Sequence, residues 1–286
     1  MPSLISATGQ LKDGRITPRK AHNHTPELSW LKRLEAKPST SSQSDFDTKK
    51  IMESLQNIKD EVNPVGDESF SPLITVAKYG HASVVQLLLQ RQGIDVNLID
   101  RSGFHALGWA ALHGHTSVVK ILLTQPCVDV NLPSVEGEGA TPLFAAAQEG
   151  HDEVVGLLLK HNDINVKIPL SGEIEEHDIH KTDGHGASPL LLPCKMGHEK
   201  VVELLLSNKD TPVNKKNNNG DSPLIMAAKH GRENIVKQLL RHTDIKVNLQ
   251  DLEGRTALGW AAREGHVNVV KALLNHKGVQ VNMATN

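Results

Sequence analysis

The stretch TPLFAAAQEGHDEVVGLLL, which starts at Thr141, carries two apolar patterns in succession. Leu143, Ala146 and Ala147 recur at helical spacing as a narrow stripe of mostly small residues. Val154, Val155, Leu157, Leu158 and Leu159 are apolar over a face too wide for a helix lying on a surface. Thr141 offers a capping oxygen, and Pro142 loses nothing at a first helical position, whose N–H would be unpaired anyway. Gly150 supplies the left-handed residue that ends the first helix. The pattern predicts two short helices that cannot bury both of their faces alone.

The same pattern is written along most of the chain. LGWAALHGHTSVVKILL from Leu107 returns as LGWAAREGHVNVVKALL from Leu258, 151 positions later. The helix-ending glycines fall at Gly80, Gly114, Gly150, Gly197, Gly231 and Gly265, with spacings of 34, 36, 47, 34 and 34. Pro72, Ala106, Pro142, Pro189, Pro223 and Ala257 open the units in that same register, and Asn97, Asn131, Lys167, Asn214, Asn248 and Asn282 close them. Stacked copies bury what one copy leaves exposed, so stability becomes a sum over neighbours.

The unit resembles the ankyrin repeat, whose signature Thr-Pro-Leu-His-x-Ala-Ala is followed by Gly-His and an apolar second helix. The resemblance covers residues 67–286. It implies an all-α solenoid of stacked helix-turn-helix repeats with β-hairpin fingers, of the kind found in fungal ankyrin repeat proteins. Six repeats are expected at about 67–99, 100–133, 134–167, 183–216, 217–250 and 251–283, with an inserted finger at 168–182. Residues 47–66 read as a degenerate half-repeat that caps the stack. Residues 1–46 read as a flexible segment with one short helix in TPELSWLKRLEA, which could dock on the solenoid, bind a partner or stay disordered. The departures from the signature are a period of 34 instead of 33, and Gly108-Trp109 and Gly259-Trp260 in the second and sixth units. Trp109 and Trp260 occupy a position that is core leucine in the family, so packing is their expected role. By the same resemblance the histidines after five of the helix-ending glycines, His81, His115, His151, His198 and His266, are expected to tie adjacent loops together, with Arg232 in the remaining place.

Composition changes this picture little. The chain has 286 residues, is 38% hydrophobic and 22% charged, and has a formal charge of -2, so nothing in it asks for nucleic acid or membrane. Cys127 and Cys194 lack metal-ligand spacing and point to a reducing compartment, and the opening MPSLISATGQLKDGR has no apolar run. An intracellular, cytoplasmic or nuclear, monomeric protein without cofactor is expected. No GxSxG, GxxxxGK[ST] or HExxH occurs. His177, His180 and His185, with Glu175, Glu176, Asp178 and Asp183, form a metal-like cluster whose spacing fits no standard site. Pro193 reads as a flaw one turn into the fourth repeat's first helix, where an interior proline costs about 3 kcal/mol.

Three functions stay open: a non-catalytic protein-binding scaffold, a recognition or regulatory module of a larger signalling or immune-type receptor, and an enzyme or metal protein using the 168–187 finger. The resemblance places the partner on the concave face, at the two positions before each helix-ending glycine. These are Lys78 and Tyr79, Leu112 and His113, Gln148 and Glu149, Lys195 and Met196, Lys229 and His230, and Arg263 and Glu264. Phe70, Arg101, Phe104 and Arg255 extend the row onto the fingers. Within it Leu112 is expected to be exposed. Tyr79 and Met196 belong to residue types enriched at interface cores.

Overall fold

The computed structural model describes residues 71–100, 103–134, 139–168 and 186–283, and the backbone of two strands near the N-terminus. These strands, β1 (Gln10–Lys12) and β2 (Arg15–Thr17), pair antiparallel with Gln10 opposite Thr17. The helix expected in 25–36, the half-repeat at 47–66 and the metal-like cluster of the inserted finger lie outside the described residues.

Helix pairs then follow one another along the chain. The first three pairs are α1 (Pro72–Lys78) with α2 (Ala82–Leu89), α3 (Ala106–Leu112) with α4 (Thr116–Leu122), and α5 (Pro142–Glu149) with α6 (Asp152–Leu158). The next three are α7 (Leu191–Met196) with α8 (Glu199–Ser207), α9 (Pro223–Lys229) with α10 (Glu233–Leu240), and α11 (Ala257–Arg263) with α12 (Val267–Leu274). Sequence decides where they start. Ser71, Thr141, Ser222 and Thr256 each accept a hydrogen bond from the third helical amide, and proline opens α1, α5 and α9. First helices face one another through small residues such as Ala77, Ala110, Ala111, Ala146, Ala147, Ala227 and Ala228, all buried. Second helices turn two branched residues and a leucine inward, as in Val118, Val119 and Leu122. Between repeats the chain makes short fingers closed by paired bonds, for example from the Asp100 amide to the Phe104 carbonyl and from the Asp251 amide to the Arg255 carbonyl.

Two sets of hydrogen bonds run along the stack from repeat to repeat. The His115 ring donates through Nε2 to the Lys78 carbonyl at 2.9 Å. His151, His198 and His266 do the same to Leu112, Gln148 and Lys229, and Arg232 reaches Lys195. The preceding glycines are needed twice over. Their φ lies between 67° and 93°, and a Cβ on Gly80, Gly114 or Gly150 would sit 2.6 Å from the next repeat's Nδ1. At the end of the stack a Cβ on Gly265 would meet nothing within 4 Å, and Val267, Leu274 and Val281 are exposed.

The second set is an asparagine ladder. Asn131 donates from Nδ2 to the Asp163 carbonyl at 2.6 Å and accepts the Asn165 amide at 2.8 Å. Asn97, Asn214 and Asn248 repeat the double bond with Cys127 and Asp129, Asp244 and Lys246, and Gly278 and Gln280. The ladder skips one joint. Lys167 stands in the asparagine's place, and Pro212, which has no N–H, stands where the donor should be. What remains there is an exposed Lys167 Nζ–Asp210 Oδ1 pair at 3.2 Å.

Two local departures follow from single residues. At Pro193 the missing N–H leaves the Pro189 carbonyl without its helical donor, and α7 begins only at Leu191, two residues after the unit opener Pro189. Ser188, which stands where Ser71, Thr141, Ser222 and Thr256 cap their helices, has no partner for its hydroxyl among the described residues. His105 caps α3 where other units have Ser or Thr and makes no side-chain cap bond. It is buried, and among the described residues neither ring nitrogen has a partner. Gly108 makes room for it, since a Cβ there would lie 3.2 Å from the ring. Burial holds the His105 pKa down at about 4, against a small opposing pull from Asp129.

Because the folded pKa lies below the unfolded value, the unfolded chain binds the proton more readily. His105 therefore removes stability as pH falls from about 6.5 towards 4, by up to roughly 3 kcal/mol. Thermal melts should show His105→Thr, which copies the sixth repeat's capped start, raising the midpoint more at pH 5 than at pH 7.5. For the skipped joint, the double variant Lys167→Asn/Pro212→Asp should gain about 1 to 2 kcal/mol in urea unfolding, more than the two single changes summed.

Candidate functional site

The positions before the helix-ending glycines come to the surface along the finger side of the first helices, though not uniformly. Tyr79 is 38% exposed, His113, Arg263 and Glu264 are exposed, and Lys78, Glu149, Lys195, Met196, Lys229 and His230 are half-buried. Leu112 is not the exposed leucine expected, because it retains only 5% exposure. Gln148 is buried as well, with its side-chain amide donating to Glu149 Oε1 at 2.8 Å. The cause is the alanine-lined contact of the first helices: a side chain at this position is roofed by the next repeat unless it is long enough to reach past it, as lysine is. On the fingers, Phe104 is buried with its ring 4.9 Å from that of Trp109, and Arg255 is half-buried. Phe70 and Arg101 lie outside the described residues.

Both tryptophans are packed as expected, at 0% and 7% exposure, and each also organises its surroundings. Trp109 Nε1 donates to Asp100 Oδ2 at 2.6 Å, and Trp260 Nε1 to Asp251 Oδ2 at 2.7 Å. The other oxygen of each aspartate accepts the amide of Phe104 or Arg255, which holds the finger closed. A lysine of the preceding repeat covers each indole. Lys78 Nζ lies 3.9 Å from the Trp109 ring and Lys229 Nζ 4.3 Å from that of Trp260. This aspartate–indole–lysine layer was missed in the sequence. Its signal was an aspartate nine residues before each tryptophan.

The two layers differ in their surroundings. At Trp109, His113 stacks on the ring with centroids 5.5 Å apart and planes 9° apart. Burial lowers the His113 pKa, and His115, Lys78 and His151 lower it further against Glu149, so the imidazole is neutral at pH 7. Burial also lowers the Lys78 pKa, opposed by Asp100. At Trp260, Arg255 and Arg263 place their guanidinium carbons 4.7 and 4.9 Å from the ring beside Lys229. On the opposite side Gln86, Leu89, Gln90, Lys120, Ile121, Thr124 and Gln125 line an open groove of about 530 Å³ between α2 and α4. Among the described residues no group of three or more His, Cys, Asp or Glu could hold a metal ion, and no helix is long and apolar enough to cross a membrane.

The chain matches the family described as Ankyrin repeats (3 copies) over residues 44–134, 73–169, 126–217, 166–251 and 208–285. It is similar to the human ASB11 ankyrin repeat domain, with 29% identity and a TM-score of 0.61 over 76% of this chain and 87% of that one. An ankyrin repeat domain of Acinetobacter baumannii AYE, 24% identical, matches 71% of this chain and 96% of its own with a TM-score of 0.60. A chain in the complex of the Bd0816 predatory endopeptidase of Bdellovibrio bacteriovorus with the immunity protein Bd3460 is 26% identical. It matches over 73% of this chain and 100% of that one with a TM-score of 0.61. No curated protein matches.

Removing the aspartate of either layer should destabilise the fold by about 2 to 3 kcal/mol in urea unfolding, since Asp100→Ala or Asp251→Ala leaves an indole N–H and finger amides without partners. Leu112→Ala should cost about 2 to 5 kcal/mol as a core truncation, which makes it unsuitable as a surface probe.

Proposed function

The chain belongs to the ankyrin repeat family, and we propose that it is a non-catalytic scaffold holding a protein partner on the concave, finger-side face of its solenoid. The observation that carries this reading is the separation of roles between residues. Glycines, ring histidines, ladder asparagines and alanines are consumed by stacking, while one face alone presents Tyr79, His113, Met196, Lys229 and Arg263 in a row. Tyr, Met and Arg are residue types concentrated where interfaces lose water. Phe70 and Arg101 belong to the same proposed surface, and the lysines and arginines about the two indoles supply its charge. Burial excludes Leu112 and Phe104 from direct contact and leaves Gln148 a positioning role beneath Glu149. The similar chain within the complex containing an immunity protein supports a fold that works by contact with proteins. Cys127 and Cys194 are both free, which suits an intracellular, reducing setting and a scaffold that acts as a monomer.

Affinity capture with the full chain followed by mass spectrometry identifies the partner. Tyr79→Ala, His113→Ala, Met196→Ala and Arg263→Ala are then compared by calorimetry. One or two of them should lose about 2 kcal/mol or more of binding while circular dichroism stays unchanged. A partner that ignores all four and is lost with Gln86→Ala or Thr124→Ala belongs to the opposite groove, and the reading fails.

A further inference from the structure

The second and sixth repeats share one layer of aspartate, indole and lysine, and the residues around it have been exchanged. Counting 151 positions on, Phe104 becomes Arg255, Leu112 becomes Arg263 and His113 becomes Glu264. An apolar and imidazole rim in one repeat is thus a cationic rim in the other, on the same backbone. Three cationic groups converge on one indole in the sixth repeat, with Lys229 Nζ, Arg255 Cζ and Arg263 Cζ at 4.3, 4.7 and 4.9 Å from the Trp260 ring. Packing does not need this. Trp109 is covered by one lysine and a neutral ring and is more deeply buried than Trp260.

The counter-charges are loosely held. Arg255 pairs with Glu253 Oε2, and Arg263 pairs with Glu264 at 3.7 Å through glutamates that are 62% and 42% exposed. Exposed pairs of this kind contribute little and exchange readily. Asp251 is taken up by the indole and by the finger amides of Glu253 and Arg255. Lys229 has no ion pair among the described residues. At the tip of the same finger Leu252 is 71% exposed beside Glu253.

We propose that the sixth repeat takes a carboxylate side chain of an extended segment of the protein partner, seated among Lys229, Arg255 and Arg263, with an adjoining apolar residue against Leu252. This rests on the concave-face reading above and names the chemistry of one part of that face. A guanidinium meets a carboxylate through two parallel N–H donors, which a flexible ammonium alone does not provide. Asp251, Glu253 and Glu264 balance the three cations in number, but Asp251 is committed to the indole and the finger amides while the two rim glutamates are exposed, so one incoming carboxylate can displace a rim glutamate from its guanidinium. A polyanion such as nucleic acid would be repelled by the same two glutamates.

Calorimetry of the full chain with acetyl-GLEELG-amide, against acetyl-GLQQLG-amide, tests the site. The acidic peptide should bind at least tenfold tighter than the amide peptide and weaken from 50 to 300 mM salt. Lys229→Met and Arg263→Leu should each weaken it about tenfold with unchanged melting, Glu264→Gln should strengthen it, and Lys160→Met, in the turn after α6, should leave it unchanged. Equal binding of the two peptides, no heat at millimolar peptide, or equal loss with Lys160→Met overturns the proposal. A captured partner that depends on Tyr79 and Met196 and ignores Lys229 and Arg263 overturns this site while leaving the concave face in place. One that ignores all of them overturns both.

Discussion

Where the first helix of a pair ends, the next repeat's ring occupies the volume a side chain would have filled. That substitution of an imidazole for a missing Cβ holds the rest of the structure in place. The glycine must be left-handed to stop the first helix and bare to admit the ring, and the ring must reach a carbonyl two residues back in the preceding repeat. A Cβ on Gly80, Gly114 or Gly150 would lie 2.6 Å from the ring that makes the bond. The joint therefore fixes how far and in what orientation each pair follows the last. It also fixes which side chains come out in a row, because the two residues before each glycine are carried by the same helix end.

The parts of this arrangement that repeat were legible in the sequence. Gly80 to Gly265 and the Thr141 cap followed from recurrence, which samples one physical problem six times, and the resemblance to the ankyrin repeat supplied the role of the ring histidines and the burial of Trp109 and Trp260. What recurs twice or not at all was harder to see. The aspartate under each indole is a nine-residue relation inside two units only. Leu112 looked exposed because its register position is polar in the other repeats, yet even Lys78, Lys195 and Lys229 are half-buried there and a leucine does not reach past the next repeat's roof. Pro193 was legible as an irregularity of the fourth repeat's first helix, while the late start at Leu191 that answers it was not.

The indole layers show why stability and recognition are difficult to separate on this face. Each tryptophan anchors a finger through its N–H and offers its ring to a cation from the preceding repeat, so the charged groups available to a partner are positioned by core contacts. Exchanging Phe104 and Leu112 for Arg255 and Arg263 alters the rim without altering that anchor.

The joint between the third and fourth repeats keeps its ring, His198 to Gln148, but exchanges two amide bonds for an exposed ion pair. Loss of the acceptor at Lys167 is matched by loss of the donor at Pro212, so neither is left buried and unsatisfied. Mechanically, a column with one joint softer than the others does not bend evenly. Its curvature changes at that joint first, so a load spread along the face would be shared between two stiff halves, and the angle between them would be the coordinate that yields.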